Sequence, residues 1–161
     1  MKKLLLFLTL SLFCSQYFFA QTSNQNNFAK SYDYVNDFEK ILTSSQLKTL
    51  NDLLKKSETK TNTKITIVIT PSIAPYTDLT QYSSDLDKYL VANLKIDTSI
   101  LIILSKQLRQ IQIQGVEKIR SKMSDQEMKD IVSNYVLPEL KKGDYYKALQ
   151  EGANQLIKKL E

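Results

Sequence analysis

The chain has 161 residues, 22 of them basic and 17 acidic, for a formal net charge of +5. It contains no histidine and a single cysteine, Cys14, which excludes a Ser-His-Asp triad, a Cys-His dyad and a zinc site built on imidazole or thiolate. What remains is carboxylate, hydroxyl, amide and lysine chemistry, and any cation held here has to be a hard one bound by oxygens.

In chain order, Met1-Lys2-Lys3 and the apolar run Leu4 to Phe13 form a basic start and a short hydrophobic segment, the marks of a secretory signal. Ser15 and Gln16 interrupt the run, which is short for a membrane span of about 20 residues. Cleavage is expected after Ala20, with retention as an anchor or lipidation at Cys14 as the weaker readings. Loss of Lys2 and Lys3 leaves 20 basic and 17 acidic residues, a net +3. That balance is not a nucleic-acid footprint, and the lysines are scattered as on solvated helix faces. No second apolar stretch is long enough to span a bilayer. Residues 21–31 are polar and aperiodic and are expected to be a flexible leader, followed by one domain over 32–161.

Thr43-Ser44-Ser45-Gln46 has the spacing of a capping box, and Leu47, Leu50, Leu53 and Leu54 behind it share one helical face. The spacing predicts a helix to about Ser57. Lys64 to Thr70 is β-branched and ends at Pro71, which predicts a strand. A helix carrying Leu79, Tyr82, Leu86, Tyr89, Leu90 and Leu94 follows. Ile100-Leu101-Ile102-Ile103-Leu104 is continuously apolar, as in a strand covered on both faces. The strand–helix–strand order implies a parallel pair with a right-handed crossover. The short link Ser105–Arg109 returns the next strand antiparallel, and Gln110-Ile111-Gln112-Ile113-Gln114 alternates strictly, one face in and one face out. Ser124 to Glu127 is a second capping box opening a helix that Pro138 must break or kink. Asp144 caps a last helix with Tyr146, Leu149, Ala153, Leu156, Ile157 and Leu160 inward. The predicted fold class is α/β, a small mixed sheet with helices on both faces. No glycine-rich phosphate loop is present.

Three acidic places flank element ends: Asn36 and Asp37 before the first helix, Asp97 before the central strand, and Glu117 after the antiparallel strand. Adjacent antiparallel strands bring the start of one beside the end of the other, so Asp97 and Glu117 are expected on one sheet edge. Should the segment before Thr43 pack there, Asp37 and Asn36 join them, and these oxygens would suit calcium, or magnesium as the other hard cation. Each residue taken alone has a plain structural reading as a turn or cap residue. Ser72 occupies a usual ligand position for a parallel sheet but has no visible base, so no catalytic residue is assigned.

Val35-Asn36-Asp37 with Ile41-Leu42 and a hydroxyl cap, the Asp97-led apolar strand, and Leu137-Pro138-Glu139-Leu140-Lys141-Lys142-Gly143-Asp144-Tyr145-Tyr146 together resemble the TPM domain family over about residues 34–160. The resemblance implies an α/β/α sandwich in an extracytoplasmic compartment. It also implies a divalent-cation site in some relatives, weak acid-phosphatase activity in others, and an accessory role in maintaining membrane complexes. The chain departs from the family's Asp-Asn-Gly in Asp97-Thr98-Ser99. It keeps only Gly115 of the family's Gly-Tyr-Gly, and it lacks the transmembrane helix and glycine-rich tail of many bacterial relatives. The expectation is therefore an exported, stand-alone accessory or binding module with a weak calcium site, either periplasmic or secreted, whose partner is an envelope or membrane-complex protein. A metal-assisted acid phosphatase and a purely structural envelope-protein partner, pairing through the glutamine face, are the alternatives.

Overall fold

The computed structural model describes residues 28–161; the signal segment assigned to 1–20 and the leader as far as residue 27 lie outside the described residues. In chain order the elements are β1 (Val35–Asp37), α1 (Ser44–Thr61), β2 (Ile65–Ile69), α2 (Leu79–Leu94), β3 (Ile100–Ser105) and β4 (Gln110–Gly115). A 3-10 turn at Glu117–Ile119, α3 (Asp125–Ile131), a π-helical turn at Val132–Val136, α4 (Leu137–Lys141) and α5 (Tyr145–Leu160) complete the chain. One four-stranded sheet runs in the order β1-β2-β3-β4. β1–β2 and β2–β3 are parallel and β3–β4 is antiparallel. This is the mixed α/β sheet expected from the sequence, with one addition. β1 has only three residues, too few for a periodic signal, and is held by Ile67 N–H donating to Tyr34 O at 2.7 Å and Phe38 N–H donating to Ile69 O at 2.9 Å.

The strand pattern explains the layers. Successive side chains on a strand point to opposite faces, so Ile65, Ile67 and Ile69 with Ile100, Ile102 and Leu104 face one side. They pack there against Leu50 and Leu54 of α1, Met128 and Ile131 of α3, and Ala148, Leu149 and Leu156 of α5. Val68, Leu101 and Ile103 face the other side, where α2 brings Leu79, Tyr82, Leu86 and Leu90. β2 and β3 are buried along their whole length, as an apolar run without alternation requires. Each fully buried aliphatic side chain contributes on the order of 1.5–3 kcal/mol. Phe28, which composition assigns to the leader, lies against the α2 layer with ring centroids 5.2 Å from Tyr89 and 5.5 Å from Tyr82.

Both predicted capping boxes are formed. Thr43 and Gln46 exchange side-chain bonds with each other's backbone N–H, and so do Ser124 and Glu127. α1 runs four residues beyond the expected Ser57, to Thr61, and is closed by Asn62 in the left-handed region at φ 52°. The α-helix is interrupted ahead of Pro138. The interruption is a widened turn, with Leu137 N–H donating to Val132 O, and it carries the chain into α4 with Pro138 in its first turn. No helix among the described residues is long and apolar enough to cross a membrane.

Candidate functional site

The parallel pairing separates the expected calcium ligands. Asp37 ends β1 beside Ile69, the last residue of β2. Asp97 precedes β3, whose first residue, Ile100, pairs with Ile65 at the start of β2. Asp37 and Asp97 therefore stand at opposite ends of the sheet, separated by strands of five to six residues, roughly 20 Å of extended chain. Asp97 and Glu117 do share an edge, as the antiparallel pair requires, because Val116 N–H donates to Ser99 O at 3.0 Å. Each is already engaged by a cation: Asp97 by Lys118 at 2.6 Å and Glu117, 86% exposed, by Arg120 at 3.3 Å. The hollow of about 410 Å³ at this end is lined by Lys64, Lys95 and Lys118 against Glu58 and Asp97, a balance that repels a divalent cation.

Asn36 is consumed by the fold. Its amide donates to Asp33 O at 2.8 Å and Ile67 O at 3.2 Å, and its carbonyl accepts from Asp33 N–H at 2.8 Å. One Asp37 oxygen accepts from Leu42 N–H at 2.8 Å; the other, Oδ1, is buried without a hydrogen-bond partner. A single carboxylate does not supply the six to eight oxygens calcium takes, and no group of three acidic side chains among the described residues is arranged to hold a metal. The residues proposed from sequence do not fit one calcium site. The error lies in treating the segment before Thr43 as a loop free to fold toward Asp97, when β1 fixes its direction.

The glutamine face of β4 is also not where sequence alternation left it. α2 covers it: Thr80 donates to Gln112 Oε1 at 3.2 Å, Gln112 Nε2 donates to Ser83 Oγ at 3.2 Å, and Ser83 also donates to Gln114 Oε1. Gln112 and Gln114 are thereby half-buried, while Gln110 stays exposed.

What β4 leaves open is its outer edge. β4 ends the strand order. In an antiparallel pair, residues alternate between those bonded to the partner strand and those whose backbone points away. The Val116-to-Ser99 bond fixes the phase: with Leu101↔Gln114, Ile103↔Gln112 and Ser105↔Gln110 in register, the glutamines bond to β3. Ile111 and Ile113 then present their N–H and C=O groups outward, and none of these groups has a protein partner among the described residues; Gly115, in the same phase, is buried against Met128 and Ile119.

Two hollows flank this edge, about 1000 Å³ and 740 Å³, and they share Ile111, Gln112 and Val132. They form one groove along β4, walled by the start of α2 on one side and by α3, the π turn and α4 on the other. Met128, Val132, Leu137 and Leu140 make the second wall apolar. The rim is cationic, with Arg109, Arg120, Lys129, Lys141 and Lys142 against Asp78 and Asp125. Among the described residues Arg109, Lys129 and Lys141 make no side-chain ion pair or hydrogen bond, and Asp78 is occupied in capping α2 through Gln81 N–H at 2.8 Å.

The hairpin that carries Arg109 is held from across the sheet. Both Glu39 oxygens accept from it, at 2.9 Å from Lys106 N–H and 2.7 Å from Gln107 N–H. Arg109 itself lies at φ 54°, where the four-residue turn needs a left-handed residue. Of the groove residues, sequence reading offered only the glutamines of β4 as a binding face and did not connect the cations of the rim with a site. The available signal was positional: among the described residues β4 is the last strand, and helices follow it.

A family model described as TPM domain matches residues 35–159. Among curated proteins none matches the chain. Among solved structures, the N-terminal domain of a protein from P. gingivalis is similar with a TM-score of 0.71 at 22% identity, over 82% of this chain and 84% of that one. The BA42 protein of the psychrophilic bacterium Bizionia argentinensis gives 0.60 at 22% identity over 77% and 84%. The N-terminal domain of the cg2496 protein of Corynebacterium glutamicum gives 0.63 at 18% identity over 84% and 85%. At these identities the likeness is one of fold.

Proposed function

The chain belongs to the TPM domain family, and on that premise we propose that it is an exported accessory module that binds another protein of the envelope and performs no catalysis of its own. The observation that carries this reading is the open edge of β4 in a groove with an apolar wall and unpaired cations. Backbone groups that point outward in a partly apolar trough are equipped to hold a chain, and a cationic rim selects its charge. Of the two acids on the rim, Asp78 is committed to the cap of α2. Export rests on the Met1 to Ala20 pattern alone.

The test is an activity assay with the full chain. With calcium, magnesium or manganese added, a generic aryl phosphate should stay intact from mildly acidic to neutral pH. Turnover that disappears in Arg109→Ala or Asp125→Asn would replace the binding reading with a catalytic one. A calcium titration is the second arm. Melting temperature should not respond to the ion at millimolar concentration, because the carboxylates stand at opposite ends of the sheet; a rise that is lost in Asp97→Asn would restore the ion site.

A further inference from the structure

The geometry of the groove also names the class of partner, and this step rests on the binding reading above. We propose that the free edge of β4 takes an extended acidic peptide segment of a partner protein as a fifth strand, with apolar residues at alternate positions. Three observations lead there. First, the outward groups of Ile111 and Ile113 lie two residues apart, about 7 Å, the spacing at which an added strand exchanges its own N–H and C=O pairs.

Second, the two walls differ. An added strand points alternate side chains toward α2, where Thr80, Ser84 and Gln112 are polar, and toward the helical wall, where Met128, Val132, Leu137 and Leu140 are apolar. One set of alternate residues in the ligand is therefore apolar and the other polar. Third, the rim holds five cations against two acids, and Arg109, Lys129 and Lys141 have no ionic partner. Carboxylates on the polar set complete these pairs.

The other occupants fit less well. A second copy pairing edge to edge would set the same cationic rim against itself, which is repulsive. Residues 1–27 contain no acidic residue and two lysines, so the chain's own N-terminal segment does not match the rim.

The experiment measures binding of short fluorescent peptides to the full chain. One alternates glutamate and valine; a second alternates lysine and valine; a third repeats the first with backbone N-methyl groups at the residues that would bond to β4. The glutamate–valine peptide should bind, and both the lysine–valine and the N-methylated peptide should bind about tenfold or more weakly. The double variant R109E/K141E, at exposed side chains without ion pairs, should weaken the glutamate–valine peptide by about tenfold or more and improve the lysine–valine one. Ile113→Pro is a second variant. It removes an outward N–H and leaves the bonds to β3 in place, and it should abolish binding while a circular dichroism melt reports whether the fold is kept.

Equal binding of the lysine–valine or N-methylated peptide overturns the proposal, as does failure of every peptide to bind. Sedimentation that shows a dimer dissociated by Ile113→Pro overturns it in favour of a second copy. If no peptide binds and no phosphoester is hydrolysed, this inference fails alone; hydrolysis overturns the reading beneath it.

Discussion

Glu127 shows how one side chain serves two elements. It closes the capping box of α3 by accepting from Ser124 N–H at 2.9 Å, and it pairs with Lys159 of α5 at 2.7 Å. The bond to Lys159, then those to the Ser124 backbone and hydroxyl, hold its carboxyl down from 4.5 to about 2. A carboxyl depressed in the folded state stabilises the fold above its unfolded pKa and loses that contribution as pH falls. The window here runs from about pH 4.5 down to about 2. Glu127→Gln keeps a residue able to close the box but has no charge to titrate. The melting-temperature gap between the wild type and Glu127→Gln should be largest near neutral pH and shrink through that window. A gap that stays constant through it would contradict the assignment. The box itself was legible in Ser124-Asp125-Gln126-Glu127 because it is a local device of four residues. Lys159 was not, because no local pattern links positions 32 apart.

At the scale of elements, the junction between α5 and the π turn is closely packed. A Cβ on Gly152 would lie 2.9 Å from Val136 Cγ2, and a valine on a helix has little rotamer freedom to withdraw. Alanine in a helix interior gains about 1 kcal/mol over glycine, but overpacking costs about 1–3 kcal/mol. Gly152→Ala should therefore destabilise by about 1 kcal/mol in denaturant unfolding. Val136→Ala alone loses buried methyl groups and destabilises as well. The double variant should be more stable than the sum of the two by about 1 kcal/mol or more, since the second change makes room for the first. Strict additivity would show that the two helices can shift apart freely.

Sequence reading at this scale succeeded where periodicity was long. α1, α2, α5 and the apolar runs of β2 and β3 all appear where their patterns predict. It missed β1, whose three residues carry no period, and at Pro138 it foresaw an interruption but not that it takes the form of a widened turn. Alternation correctly split β4 into two faces, yet it could not say that Thr80 and Ser83 of α2 would cover the glutamines.

The molecule as a whole is a sheet covered on both faces, with β1 and β4 at its two edges. The order β1-β2-β3-β4 sets where the candidate residues stand. Parallel β1 carries Asp37 to the end opposite Asp97, which dissolves the calcium cluster, and terminal β4 leaves its outer backbone unpaired within a cationic groove. Strand order follows from long-range packing and is not written in any one segment, which is why the fold class was legible and the site was not.

The most direct measurement is residue-resolved amide hydrogen exchange by NMR, with and without the glutamate–valine peptide. The outward amides of Ile111 and Ile113 should slow on addition of peptide, while the amides of Gln112 and Gln114, already bonded to β3, stay unchanged. Protection that falls on all four alike, or that gathers in the lysine-lined hollow beside Asp97, would contradict strand addition at β4.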